Sequence, residues 1–100
     1  MYTIRPQRAR LWGMNGRALV AWNLRRIRVQ RGLSQERLAY DAEVDRSYVG
    51  GLERREENPT VDVLDRLAKT LGVSIGELFR KPRREAPPPK PLRSGRRPAR

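Results

Sequence analysis

Arg46, Ser47 and Tyr48 set a guanidinium, an aliphatic hydroxyl and a phenol on three consecutive positions, and Gln35 adds a carboxamide further upstream. Such groups donate and accept hydrogen bonds; alone they recognise polar edges and break no bonds. The chain has no Cys and no His, which removes disulfides, Cys/His zinc sites, thiol nucleophiles and imidazole bases together. Asp41, Glu43, Asp45, Glu56 and Glu57 fall at capping, turn or surface positions, with no nucleophile set beside a base. The chemistry expected is recognition, with no enzymatic activity, metal or cofactor.

The charge indicates what is recognised. In 100 residues, 23 Lys and Arg face 11 Asp and Glu, a net +12, so a polyanion is the first partner to consider. Its distribution divides the chain. Residues 1–16 form a basic N-terminal arm with Arg5, Arg8 and Arg10 and no acid; residues 17–79 hold eleven bases and ten acids; residues 80–100 hold nine bases and the single acid Glu85. That tail also has six of the eight prolines and, after Phe79, one sizeable apolar residue, Leu92. It is expected to be disordered, with Pro87–Pro89 locally extended. It serves either as a solubility tail or as a phosphate-binding arm blind to sequence. Met14 is an alternative start that would leave residues 1–13 outside the native protein, whereas the apolar pair Leu11 and Trp12 argues for something to pack on. The longest apolar run, Ala18 to Trp22, is far short of the roughly 20 residues of a membrane span and too short for a secretory signal. No membrane partner and a cytoplasmic location are expected.

The elements that must position Arg46 and its neighbours read as helices throughout. Val20, Leu24, Ile27 and Arg31 follow one helical face, and Gly32 supplies a left-handed stop, which predicts a helix over 17–31. Ser34 caps a second helix over 35–42, and Asp45 a third over 46–54 carrying Val49 and Leu52 on one side. Asn58-Pro59 breaks the chain, and Thr60 caps a fourth helix, 61–71, whose apolar repeat is Leu64, Leu67, Ala68 and Leu71 before Gly72. Ser74-Ile75-Gly76-Glu77 has the form of a capping box and leads into a fifth helix of one or two turns. The fold class is all-α, a five-helix domain over 17–79. A core this small buries only about 60% of the surface its unfolded chain exposes, so dimerisation would help it.

The helices over 35–42 and 46–54, joined by a tight turn, form a helix-turn-helix unit whose second member can lie in a DNA major groove. Ala39 is small where the two helices cross, while Arg46, Ser47, Tyr48 and Gln35 are left pointing outward. Gly-Leu-Ser-Gln-Glu-Arg-Leu-Ala at 32–39, Arg-Ser-Tyr-Val at 46–49, Leu-Glu-Arg at 52–54, Asn-Pro-Thr at 58–60 and Leu-Gly-Val-Ser at 71–74 together resemble the Cro and phage-repressor family of helix-turn-helix transcriptional regulators. Within that family, the Arg46-Ser47-Tyr48-Val49 run looks like that of restriction-modification controller proteins. The resemblance implies phosphate contact by Gln35 and by amides at the start of its helix, base-facing positions at Arg46, Ser47 and Gly51, and a structural salt bridge between Arg28 and Glu53.

The residues add detail. Arg46 can bond guanine O6 and N7 together or clamp a phosphate, and Ser47 and Tyr48 can meet a base edge, a thymine methyl or the backbone. Arg54 and Arg55 either contact phosphate or are neutralised by Glu56 and Glu57. Two departures from the family stand out. Glu43 occupies the turn position usually held by Gly, and must take a left-handed backbone at roughly 1 kcal/mol. Gly50 and Gly51 lie inside the recognition helix; Gly51 has no side chain for a base, and glycine there either lets a phosphate approach the backbone closely or lets Tyr48 lie flat. Trp22, opposite the Val20/Leu24/Ile27 face, is covered either by the chain's own Leu11, Trp12 or Met14 or by a partner protein. The reading is a regulator that binds double-stranded DNA at a palindromic operator as a homodimer; the alternative is an antitoxin that holds a partner toxin and regulates its own operon.

Overall fold

Four α-helices and a closing 3-10 turn make up residues 14–83, which are the residues the computed structural model describes. The helices are α1 (Gly16–Gln30), α2 (Gln35–Ala42), α3 (Arg46–Glu53) and α4 (Val61–Leu71), and the 3-10 turn spans Ile75–Phe79. Among the described residues there is no strand, and no helix is long and apolar enough to cross a membrane. The expected arm and tail fall almost wholly outside the described residues, as do Leu11 and Trp12.

One core holds the elements together. Val20, Leu24 and Ile27 of α1 meet Leu38, Ala39 and Ala42 of α2, Val49 and Leu52 of α3, Leu64, Leu67, Ala68 and Leu71 of α4, and Leu78. Burial of each Leu or Ile contributes about 1.5–3 kcal/mol, so apolar packing supplies the cohesion and polar ties set the angles. Trp22 is half-buried and stands apart from this core.

Helix starts follow the capping chemistry in part. The Ser34 and Thr60 hydroxyls accept from the backbone N–H groups of Arg37 (2.9 Å) and Val63 (3.1 Å). Asn15, which sequence reasoning passed over, accepts from the Ala18 N–H and starts α1 at Gly16. Asp45 occupies the cap position of α3 but its side chain makes no capping bond. The expected capping box at Ser74 is also absent, and the fifth element is a 3-10 turn rather than an α-helix. The Glu77 carboxylate lies instead near Arg80 (3.4 Å) and Arg26 (3.7 Å). The turn's last carbonyls are met from α1: the buried Asn23 amide donates to the carbonyl oxygens of Leu78 (3.1 Å) and Arg80 (2.8 Å).

All four α-helices end in one pattern, in which a residue with positive φ lets two further amides reach back to the last turn. After α1 and α4 that residue is Gly, at Gly32 (φ 70) and Gly72 (φ 76). After α2 and α3 it is Glu43 (φ 60) and Arg55 (φ 65). The reaching-back bonds are Val44 N to Ala39 O (2.9 Å) and Glu56 N to Gly51 O (2.8 Å). Both strained closures therefore flank α3. The Glu43 carbonyl is held in turn by Arg66 Nη1 at 3.2 Å.

Glu43→Gly relieves the left-handed strain, about 1–2 kcal/mol, against about 0.4–1 kcal/mol of added unfolded-chain entropy. Its expected effect is a net stabilisation of about 0.5–1 kcal/mol in thermal or urea unfolding, whereas Gly72→Ala at the equivalent position of α4 destabilises.

Candidate nucleic-acid interface

On α3, Val49 and Leu52 face inward and are buried. Ser47 and Gly51, four residues apart, therefore centre the opposite face, with Tyr48 beside them and Arg46 at its start. Arg46 and Ser47 are exposed and Tyr48 is half-buried against the core. Arg46 makes no hydrogen bond or ion pair among the described residues, so its five donors are free for an outside acceptor. The Tyr48 phenol is pushed above its ordinary value by burial and, secondarily, by the negative charge of Glu57; it stays protonated and available as a donor.

The inner side of α3 is tied to α1 by the expected pair. Arg28 Nε and Nη2 meet Glu53 Oε2 and Oε1 at 2.7 and 3.0 Å, with side chains 6% and 3% exposed. Arg28 Nη1 also donates to the Leu33 carbonyl at 2.8 Å, and Gln35 Nε2 donates to Glu53 Oε1 at 3.0 Å. One carboxylate thus joins the end of α1, the start of α2 and α3. One of the two Gln35 amide hydrogens is thus directed inward to Glu53, which leaves the second for the phosphate contact expected there. Further outward donors at this end of α2 are the backbone N–H groups of Gln35 and Glu36, which precede the one satisfied by Ser34.

Gly50 and Gly51 are both buried, for different reasons. A Cβ on Gly50 would lie 3.0 Å from Arg54 Nη1 and 3.6 Å from Gln35 Oε1. A Cβ on Gly51 would meet Glu57 Cγ at 2.8 Å and Oε2 at 2.9 Å. A carboxylate thus lies across the Gly51 backbone, where a phosphate contact is expected, and its charge opposes one. Arg54 Nε pairs with Glu56 Oε1 at 3.1 Å in an exposed contact, while Arg55 is exposed at the left-handed closure. Sequence reasoning missed Glu57 as part of this face, because its place depends on how the chain folds back after α3. It also passed over Tyr40, 75% exposed on α2 with the Arg37 guanidinium 5.6 Å from its ring centre.

A family model described as helix-turn-helix matches residues 24–78. The chain is 39% identical over 66 residues to a Neisseria meningitidis protein named as a hypothetical transcription factor, covering 66% of this chain and 62% of that one. The crystal structure of that Neisseria factor superposes with a TM-score of 0.66 over 68% of this chain and 78% of its own, at 38% identity. The restriction-modification controller protein C.AhdI from Aeromonas hydrophila gives 41% identity and a TM-score of 0.61, covering 63% of this chain and 96% of its own. A further controller, C.Esp1396I, solved as a tetramer in complex with its natural 35 base-pair operator, gives 32% identity and a TM-score of 0.58, with 67% and 99% covered.

Arg28→Ala leaves the Glu53 carboxylate buried without its cation. The expected loss is about 3–5 kcal/mol of unfolding free energy, while the double variant Arg28→Met with Glu53→Leu loses much less; denaturant titration of both distinguishes a buried charge from lost packing.

Proposed function

The chain belongs to the helix-turn-helix family of transcriptional regulators, and from that premise we propose that it binds a specific DNA sequence with α3 in the major groove. The observation that carries this reading is the Arg46 guanidinium, exposed and without a partner among the described residues, on a helix whose inner side is anchored by Val49, Leu52 and the Arg28–Glu53 pair. Arg46 reads guanine through O6 and N7, the most frequent specific contact in the major groove. Ser47 and Tyr48 contact an adjacent base edge or thymine methyl. Phosphates are held by the free amides of Gln35 and Glu36 and by Arg54 and Arg55.

The operator in this reading is palindromic and bound by a homodimer, with one α3 per half-site and half-sites about 34–36 Å apart or a multiple of that. The operator-bound tetramer of the controller C.Esp1396I supports an assembly of more than one copy. Residues 17–79 form the reading domain, and the nine bases of residues 80–100 form an arm that adds affinity irrespective of sequence.

Replacement of Arg46 by Ala should flatten the preference at one operator position by about 1–3 kcal/mol in a binding panel of single-base operator variants; uniform weakening across the panel would make it a phosphate clamp. Removal of residues 82–100 should weaken binding to all duplexes alike and make the slope of log K against log salt shallower by about 0.9 per lost phosphate contact. An unchanged slope assigns the tail to solvation alone.

A further inference from the structure

Gly51 stands at the centre of the outward face of α3, four residues after Ser47, yet it is buried. What buries it is the side chain of Glu57, whose Cγ and Oε2 lie 2.8 and 2.9 Å from where a Gly51 Cβ would be. Glu57 thus fills the place that a side chain at position 51 would take, and carries a carboxylate onto the surface that Arg46 and Ser47 begin. Its charge reaches Tyr48. Its backbone is anchored next to the closure of α3, where the Glu56 N–H bonds the Gly51 carbonyl at 2.8 Å. Among the described residues Glu57 makes no ion pair and no hydrogen bond; the nearby Arg54 turns its Nε to Glu56 and leaves its other donors for phosphate.

An unpaired carboxylate on a DNA-facing surface is repelled by every phosphate, so a favourable partner there must be a donor on a base. The major groove offers two such donors, cytosine N4 and adenine N6. Adenine presents its amino group beside the N7 acceptor, which opposes a carboxylate, whereas cytosine offers N4 with no acceptor on the same edge. We propose that Glu57 is a specificity-determining residue that accepts a hydrogen bond from the N4 amino group of a cytosine in each half-site, in the position left open by Gly51. This rests on the DNA-binding reading above. Repulsion from phosphate weakens binding to all sequences and the amino contact restores it for one, so Glu57 widens the gap between specific and non-specific binding.

The test is selection of bound duplexes from a random pool by the full chain, as wild type and as Glu57→Ala, Gly51→Ala and Glu57→Gln, at one salt concentration. The wild type is expected to show a cytosine preference of about tenfold at a position distinct from the guanine read by Arg46. Glu57→Ala should lose that preference, keep the guanine, and bind non-specific DNA as well as or better than wild type. Gly51→Ala, whose Cβ displaces the carboxylate, should lose the same position. Glu57→Gln preserves shape where a truncation unfolds the chain, and since an amide pairs with adenine N6 and N7 its preference should move from cytosine toward adenine. An identical consensus for wild type, Glu57→Ala and Glu57→Gln overturns the role of Glu57 while leaving the DNA-binding reading intact. Absence of any consensus for the wild type overturns both.

Discussion

The Arg28 guanidinium is buried, and the placement of α3 depends on how its charge is met. Glu53 meets it with two bonds, the Leu33 carbonyl takes a third donor, and Gln35 supplies Glu53 with a further hydrogen bond. A buried ion pair is a poor source of net stability, because the desolvation of both groups offsets most of their attraction. Its consequence here is geometric. The paired atoms are 2.7 and 3.0 Å apart, and slippage of α3 against α1 would leave a charge without its partner in a nearly dry site. Apolar packing tolerates small displacements; a bidentate pair between fixed elements does not.

That constraint matters because α3 is weak as a helix. It is eight residues long, shorter than the roughly 12–15 at which isolated helices become even marginal, and each of its two glycines is about 1 kcal/mol poorer than Ala. Its flanking closures, at Glu43 and Arg55, are the two left-handed non-glycine positions among the described residues. The helix is held from outside: Val49 and Leu52 in the core, Glu53 on Arg28, Arg54 over Gly50 and Glu57 over Gly51. The glycines that weaken it intrinsically admit the side chains that cover it.

Much of this was legible in the sequence because it is local. Apolar spacing located α1, α3 and α4, and the Ser34 cap located α2; Thr60, Gly32 and Gly72 marked further ends, and the departure at Glu43 implied the left-handed turn that the structure contains. The Arg28–Glu53 pair came from family resemblance, since spacing alone does not couple residues 25 positions apart. Elsewhere local signals misled. Ser74 and Glu77 have the spacing of a capping box, but Arg26 and Arg80 attract the Glu77 carboxylate, and Asn23 satisfies the carbonyls at the far end of the turn. Around the positions expected to meet phosphate, no local signal showed that Gln35 donates one amide hydrogen inward to Glu53 or that Glu57 covers Gly51. Each of these outcomes depends on a partner brought near only by the tertiary fold.

The charge distribution gives the two parts of the chain different physical tasks. Residues 17–79 carry eleven bases and ten acids, so they supply little long-range attraction to a polyanion, and around α3 the acids Asp45, Glu53, Glu56 and Glu57 stand against Arg28, Arg46, Arg54 and Arg55. Attraction that is blind to sequence scales with the phosphates neutralised and falls steeply with salt; in the proposed reading its source is the basic residues outside the helical domain. Discrimination between bases requires close, oriented hydrogen bonds, and Arg46 at the start of α3, unpaired among the described residues, has the planar donor pattern for that purpose. On that reading, a surface with little net charge gains little from misplaced phosphate contacts, so preference among sequences would be set by fit to base edges and would persist at salt concentrations that weaken sequence-blind attraction.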